Sequence, residues 1–240
     1  MRDGTMPRPM PPRPQDLAWL FDIDGTLLTT NGASREAFSA SVRECFGVEN
    51  DLRSVPFAGR TEPLILADVL AAIGRTTDAE EERRFWAAVI AHMERLLGNT
   101  RGRLLPGVLE ALDALDERPE WAVGLLTGNM TAMARVKLAR FGIGQRFRFG
   151  SFGEEAADRN ALACLAVERV REQYGIPAGR CIVIGDTEHD VACARAAGAK
   201  AVAVGTGRRK LEELAASAPD LLIDDLTRFD DVIRWAGALD

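Results

Sequence analysis

The fold of this chain is constrained most by a short unit that recurs along it, an apolar run that stops abruptly at a polar loop. The first example is residues 17–21, which are followed directly by Asp22-Ile-Asp-Gly-Thr26. Similar runs, each followed by a polar loop, lie at 121–126, 181–184, 201–204 and, in shorter form, 221–223. Continuous apolar runs of this length are typical of strands that are buried on both faces of a parallel sheet.

Helical patterns lie between these runs, near 129–140, 158–174, 187–197 and 208–216. Strands that alternate with helices along a chain indicate βαβ units. We therefore predict an α/β fold with a doubly wound, Rossmann-like parallel sheet.

The stretch from about 31 to 103 interrupts this alternation. It carries helical patterns at 33–46, 62–73 and 78–98 and no evident core strand. A segment of about seventy residues is too long for a single crossover helix. We predict that 31–103 form a helical cap over the carboxyl edge of the sheet, that 15–30 and 104–240 form a catalytic α/β core, and that 1–14 form a disordered, Pro-rich tail.

The composition argues against several classes of protein. The net charge of −6 and the pI of about 5.2 disfavour nucleic acid as a partner, because proteins that bind phosphate backbones usually carry a basic face. No apolar stretch approaches the length of a membrane span, and the N-terminus lacks the apolar segment of a secretory signal. We predict a cytoplasmic protein that binds neither nucleic acid nor membrane; its oligomeric state is not indicated.

Polar side chains follow the predicted strands where each strand ends. Asp22 and Asp24 follow the first strand, Thr127 the second and Asp186 the third. Ligands of open α/β sheets bind at the carboxyl ends of the strands, so these groups are expected to converge. Asp24 or Asp186 taken alone could equally cap a helix. Three such loops with matching chemistry favour a common site.

These residue types suit phosphoryl transfer. With only two histidines in the chain, a metal site must be built from carboxylate oxygens, which favours Mg²⁺ over Zn²⁺. Asp22 and Asp186 are the candidate ligands, and Asp24 can donate and accept a proton. Gly25 permits a sharp turn, and the hydroxyl of Thr26 is expected to brace that turn.

The loop after the second strand is expected to contact the phosphate. Thr127, together with the amides of Gly128 and Asn129 that follow it, offers donors to phosphoryl oxygens.

The three motifs together resemble a known family. Asp22-x-Asp-Gly-Thr26, Leu126-Thr127-Gly128-Asn129 and Gly185-Asp186-x-x-x-Asp190 are similar to the first, second and fourth motifs of the haloacid dehalogenase-like hydrolases. The arrangement looks like the branch of phosphoglycolate phosphatase and β-phosphoglucomutase, in which a helical cap lies between the first two motifs.

The resemblance implies a role for each aspartate. Asp22 would be the nucleophile and Asp24 the general acid and base, with the Asp24 backbone carbonyl as a metal ligand. Asp186 would bind Mg²⁺ directly, and Asp190 would support that site indirectly.

The chain departs from the family in one place. A lysine normally stands at the start of the helix before the fourth motif, and here that position carries Arg159. Arg159 could hold the nucleophile and the phosphate as a bidentate cation, although arginine and lysine are not interchangeable. Lys137 is the alternative cation, but its helical pattern also allows a solvated surface position. We favour Arg159.

Phe57-Ala-Gly59-Arg60-Thr61 resembles the substrate-specificity loop of this branch. Gly59 would permit a close approach, and Arg60 would reach a second anionic group of the substrate. An equally good interpretation is that Thr61 caps the helix that begins at Glu62 while Arg60 is solvated.

The predicted function is a Mg²⁺-dependent phosphatase. It would act on a small phosphomonoester, such as phosphoglycolate or a sugar phosphate, through an aspartyl-phosphate. The alternatives are a phosphomutase of the β-phosphoglucomutase type and a catalytically silent binding module. Dehalogenation is disfavoured because dehalogenases lack the second aspartate, which is present here as Asp24.

Overall fold

The computed structural model describes residues 16–98 and 101–239. Its strands are β1 Ala18–Phe21, β2 Leu28–Thr29, β3 Arg103–Leu104, β4 Ala122–Leu126, β5 Phe149–Ser151, β6 Cys181–Gly185, β7 Lys200–Val204 and β8 Leu221–Ile223. Its α-helices are α1 Ala33–Phe46, α2 Glu62–Ala72, α3 Ala79–Gly98, α4 Val108–Asp116, α5 Thr131–Arg140, α6 Arg159–Tyr174, α7 Glu188–Ala196, α8 Leu211–Ala216 and α9 Phe229–Gly237. The predicted disordered tail at 1–14 lies outside the described residues.

One parallel sheet organises the molecule. Its strand order is β5-β4-β1-β6-β7-β8, and β1 pairs with β4 on one side and with β6 on the other. Phe21, the last residue of β1, lies opposite Leu125 and Ile184. The carboxyl ends of three neighbouring strands therefore meet at one edge, and the predicted α/β parallel-sheet fold is confirmed.

The central strand is buried on both faces, as its continuous apolar run predicts. Trp19 and Phe21 pack on the face covered by α4 and α9, and Ala18 and Leu20 pack on the face covered by α6 and α7. The rings of Trp19 and Phe229 lie 5.3 Å apart. Alternate residues of a strand point to opposite faces, so an apolar residue is needed at every position.

Helices α1, α2 and α3, which we call the cap helices, enclose a separate apolar cluster. Phe38 meets Phe85 edge to face at 5.7 Å, and Phe46 stacks on Phe85 at 5.6 Å. Residues 31–98 and 101–102 contribute no strand to the main sheet. The division into a core of 15–30 and 104–240 and a cap of 31–103 stays a prediction that these observations suit.

Two strand features were not predicted. β5 is a three-residue strand at the edge of the sheet, and β2 and β3 form a separate antiparallel pair of two residues each. Strands this short carry too few residues for an apolar pattern to emerge. Nowhere in the described ranges is a helix long and apolar enough to cross a membrane.

Candidate active site

The strand order brings the predicted polar residues to one edge of the sheet. Asp22, Thr127 and Asp186 directly follow β1, β4 and β6, and both aspartates are only 6% exposed. The amide of Asp22 donates to the carbonyl of Ile184 over 2.9 Å, which ties the first loop to β6.

A buried ion-pair network surrounds Asp22. Nη2 of Arg159 lies 3.0 Å from Oδ1 of Asp22 and also donates to the carboxylate of Asp190. Asp190 is held in turn by the amide of Thr187 at 3.0 Å and by its hydroxyl at 2.7 Å. Arg159 is the first residue of α6, and Asp158 caps that helix by accepting from the amide of Ala161. The guanidinium is therefore fixed between two carboxylates.

The buried positions of Asp22 and Asp186 raise the pKa of both carboxyl groups. Burial raises the pKa of Asp22 to about 6, although Arg159 opposes the shift and the charges of Asp190 and Asp24 add to it. Burial, followed by the charges of Asp190 and Asp22, holds the pKa of Asp186 well above its usual range. A cation bound between Asp22 and Asp186 would stabilise their ionised forms.

Asp24 lies in a different environment from Asp22. Its Oδ2 accepts hydrogen bonds from Nδ2 of Asn129 at 2.8 Å and from Nζ of Lys137 at 2.6 Å. Lys137 also donates to Oδ1 of Asn129 and is 2% exposed. The interpretation of Lys137 as a solvated surface lysine is therefore wrong: the buried face of α5 directs it at Asp24.

The loop of Asp22 to Thr26 is held by backbone bonds. Gly25 adopts a φ of +90°, and its amide donates to the carbonyl of Leu28 over 2.8 Å. Thr26 is completely buried, and its hydroxyl has no hydrogen-bond partner in the part of the chain described. The predicted bracing by that hydroxyl is wrong; the hydroxyl of Thr206 instead donates to the carbonyl of Gly25 at 2.6 Å.

The loop after β4 presents two of its three predicted residues to the cavity above the site. Gly128 and Asn129 line that cavity, whereas Thr127 is completely buried. The hydroxyl of Thr127 accepts from Nδ2 of Asn129 at 2.8 Å. Thr127 therefore orients Asn129 from below.

Residues 57–61, which we call the cap loop, pack against the core. A Cβ on Gly59 would lie 2.1 Å from Cδ2 of His189, so the close approach expected of this glycine is made to the first turn of α7, the helix that follows Asp186. Arg60 is not simply solvated, because its Nη2 lies 2.5 Å from Oδ2 of Asp68. Thr61 holds the position before α2, but its side chain makes no capping hydrogen bond, so that part of the capping interpretation is wrong.

Glu62 is a residue of this region that the sequence did not single out. It is 5% exposed, its carboxylate accepts from the amide of Met130 at 2.8 Å, and its own amide donates to the carbonyl of Gly128 at 2.8 Å. Burial raises its pKa to about 7, with the charge of Lys137 opposing the shift. Glu62 thus connects α2 to the loop after β4, and its contacts lie too far away in sequence for any local pattern to show them.

A cavity of about 800 Å³ lies between this edge of the sheet and the cap helices. Asp22, Asp24, Asp186, Arg159 and Lys137 form its floor. The volume is large enough for a phosphorylated metabolite.

The donor set at the floor suits a hard divalent cation. Asp22 and Asp186 offer carboxylate oxygens, and a Cβ at Gly25 or at Gly207 would press into the Asp186 carboxylate. Among the described residues, no three His, Cys, Asp or Glu side chains are grouped to hold a metal by themselves. Two carboxylates with a backbone carbonyl, water and substrate phosphate match the habit of Mg²⁺.

A family comparison agrees with this geometry. The sequence model of the haloacid dehalogenase-like hydrolases matches residues 19–195, a range that contains all three motifs.

Individual relatives match over nearly the whole chain. A probable phosphatase IndB from Dickeya dadantii is 28% identical over 230 residues, which cover 92% of this chain and 93% of that protein. A phosphoglycolate phosphatase from Xanthomonas campestris is 30% identical over 223 residues, covering 91% and 96%. The crystal structure of a predicted phosphoglycolate phosphatase from Haemophilus somnus superposes with a TM-score of 0.73 at 19% identity, covering 91% of this chain and 98% of that one.

Proposed function

This chain belongs to the haloacid dehalogenase-like hydrolase family and is a phosphatase, and we propose that it hydrolyses a small phosphomonoester in a Mg²⁺-dependent reaction through a phosphoryl group on Asp22. The observation that carries this proposal is the contrast between two aspartates on one loop. Asp22 is buried beside Arg159, whereas Asp24 is partly exposed and bonded to Lys137 and Asn129. This contrast supports Asp22 as the nucleophile and Asp24 as the group that exchanges protons with substrate and water.

In the first step, a carboxylate oxygen of Asp22 forms a bond to phosphorus as the bond to the leaving oxygen breaks. Asp24 gives its proton to that oxygen, so the leaving group departs as a neutral alcohol. In the second step, Asp24 takes a proton from a water molecule that attacks the same phosphorus. Inorganic phosphate leaves, and Asp22 is restored.

Arg159 is the proposed cation for Asp22 and the transferred phosphoryl group. Its Nη2 already holds the Asp22 carboxylate, and its buried Nε has no hydrogen-bond partner among the described residues. Donor capacity is therefore left for a phosphoryl oxygen. Asp190 keeps the guanidinium in place, while the amide of Gly128 offers a further donor to the phosphoryl group; the amide of Asn129 instead donates to the hydroxyl of Thr127.

Asp22, the carbonyl of Asp24 and Asp186 are the proposed ligands of Mg²⁺. The chemistry that Mg²⁺ supplies when bound is positive charge, which reduces the repulsion between an attacking carboxylate and a phosphate dianion. Asp190 supports this site only indirectly, because its carboxylate is occupied by Arg159 and Thr187.

A screen of phosphorylated metabolites tests the proposal, with phosphoglycolate and sugar phosphates as the first substrates. We expect release of inorganic phosphate with Mg²⁺, loss of release with EDTA, and none from Asp22→Asn. Equal release with EDTA or from that variant would contradict the mechanism. Isomerisation of a sugar phosphate without release of phosphate would favour the phosphomutase alternative.

A further inference from the structure

Two arginines at the cavity differ from the other basic side chains that line it. Arg53, Arg60, Arg209, Lys137 and Arg159 each lie within ion-pair distance of a carboxylate. Arg35 and Arg208 also line the cavity, but in the described ranges neither has a carboxylate at that distance. Their charges face the cavity without a direct counter-charge.

Arg35 lies in the first turn of α1 and is held in place by neutral groups. Its Nη1 donates to the carbonyl of Leu52 and, at 3.0 Å, to that of Val55. The guanidinium carbon lies 4.3 Å from the centre of the Phe57 ring. Because a guanidinium carries five N–H donors, these contacts leave others for a ligand. Arg35 is a fixed cation with spare donors.

Arg208 extends from a loop that is anchored on both sides. Before it, Thr206 donates to Gly25, and Gly207 packs so closely on Asp186 that a Cβ would lie 1.7 Å from Oδ2. After it, Arg209 pairs with Glu188 through hydrogen bonds of 2.7 and 2.5 Å. The exposed side chain of Arg208 therefore starts from a backbone fixed next to the floor of the site.

The two guanidinium groups influence each other. The positive charge of Arg208 contributes to lowering the pKa of Arg35, after partial burial, whereas Asp51 acts in the opposite sense and is itself paired with Arg53. Two like charges that face one solvent-filled cavity repel each other. A carboxylate or phosphate placed between them would remove that repulsion and receive charge-assisted hydrogen bonds.

We propose that Arg35 and Arg208 form a subsite for a second anionic group of the substrate, so that the preferred substrate is a phosphomonoester that also carries a carboxylate or a second phosphate. The proposal rests on the proposed function, since Asp22 and Arg159 receive the transferred phosphoryl group. Because Arg35 belongs to a cap helix and Arg208 to the core, such a group would bridge the two. Arg60 is a weaker choice for this role because Asp68 already neutralises it.

Matched substrates and variants test the subsite. Phosphoglycolate is compared with ethyl phosphate, and glucose 1,6-bisphosphate with glucose 6-phosphate, so that each pair differs by one anionic group. We expect Arg208→Gln and Arg35→Gln each to lower kcat/KM about tenfold for the substrates with two anionic groups, the usual scale of a charged hydrogen bond. For ethyl phosphate and glucose 6-phosphate we expect a change of less than about twofold, the usual range for exposed charges.

Arg53→Gln is the matched control, because Arg53 lines the same cavity but is paired with Asp51. It should leave kcat/KM unchanged for all four substrates. Loss of Arg35 also removes two hydrogen bonds within the cap, so Arg208→Gln, which breaks no hydrogen bond recorded in the described residues, carries the test if Arg35→Gln unfolds. Equal losses on both members of each pair, or no loss on either, would overturn the proposal.

Calorimetry separates failure of the subsite from failure of the proposed function. Phosphoglycolate and ethyl phosphate are titrated into wild type and Arg208→Gln with EDTA in place of Mg²⁺, so that binding is measured without turnover. If wild type hydrolyses nothing but binds phosphoglycolate about tenfold more tightly than ethyl phosphate, and Arg208→Gln abolishes that difference, the subsite stands and the phosphatase mechanism falls. If wild type hydrolyses phosphomonoesters without this difference in affinity, the subsite falls alone.

Discussion

The floor and the rim of the cavity place positive charge in different ways. On the floor, Arg159 and Lys137 are 8% and 2% exposed, and each is bonded to an aspartate of the first loop. On the rim, which is formed by Arg35 and Arg208, neither arginine has a carboxylate at ion-pair distance among the described residues. Basic side chains are thus paired with aspartates on the floor, whereas those on the rim are free to bind an anionic ligand.

This difference predicts that the floor residues act in turnover and that the rim residues act in substrate preference. Breaking a buried ion pair costs about 3–5 kcal/mol, because one charge is left buried and unpaired. An exposed pair is worth about 0–1 kcal/mol. We therefore expect floor variants to lose turnover with every substrate and rim variants to change only which substrates are preferred. The following predictions test that contrast, starting with the largest effect.

The largest effect is expected at Asp22. Asp22→Asn should lose essentially all turnover, because an amide is a poor nucleophile. The stronger measurement is a single turnover of wild type in H₂¹⁸O. Attack of water on phosphorus places ¹⁸O in the released phosphate and none in Asp22. A label in the Asp22 carboxylate would instead indicate attack at an ester carbonyl, as in dehalogenation, and would refute the phosphatase mechanism.

Asp24 should show a large but substrate-dependent effect. Asp24→Asn is expected to lower kcat by about 10²–10⁴, the usual scale for a positioned acid or base. The loss should be largest for alkyl phosphates, whose leaving oxygen needs a proton, and smaller for p-nitrophenyl phosphate. A loss that is equal for both kinds of leaving group would remove Asp24 from the proton-transfer role.

Replacing the two floor cations, Arg159 and Lys137, should change kcat in different ways in the same assay. Arg159→Ala is expected to lower kcat for all leaving groups, because Arg159 contacts Asp22. Lys137→Met should act through Asp24, so it should cost roughly 10–100-fold alone and little more in an Asp24→Asn background. If kcat collapses only when Lys137 is replaced, Arg159 is not the phosphate cation. Independent losses in the double variant would show that Lys137 does not work through Asp24.

The sequence predicts the floor better than its connections to the cap. Asp22 and Asp186 could be placed together because parallel strands end at one edge, a rule that needs no knowledge of side-chain packing. The position of Lys137 beside Asp24 could not be predicted, because lysine is rarely buried and a helical pattern does not show which turn of the helix faces the site. The hydrogen bond from Met130 to Glu62 joins residues 68 positions apart, and neither residue type indicates it.

Glu62 belongs to neither the floor nor the rim of the cavity, and Glu62→Gln should have a smaller effect on turnover than any of the floor variants. Its carboxylate is buried like the floor residues, yet it comes from a cap helix and caps α5 through the amide of Met130. In Glu62→Gln the side-chain oxygen can still accept that hydrogen bond, so we expect kcat to change by less than about threefold, well under 1 kcal/mol. The ionisation of Glu62 should instead change the free energy of unfolding.

The pH dependence of unfolding gives the sharpest test of Glu62. Burial raises its pKa from 4.5 to about 7, so the folded state holds this proton more tightly than the unfolded state. The stabilisation is fully present below about pH 4.5 and is lost as the pH rises through about 7, by up to about 3 kcal/mol. Urea unfolding at pH 5 and pH 8 should therefore show wild type losing more stability than Glu62→Gln.

Glu154→Gln is the control, because Glu154 accepts from the amide of Thr131 at the same end of α5 but is exposed. It should keep most of the wild-type pH dependence, because the charge of Glu154 is the smallest of the contributions to the pKa of Glu62. If Glu62→Gln keeps as much, Glu62 is not the buried acid that joins the cap helices to the floor.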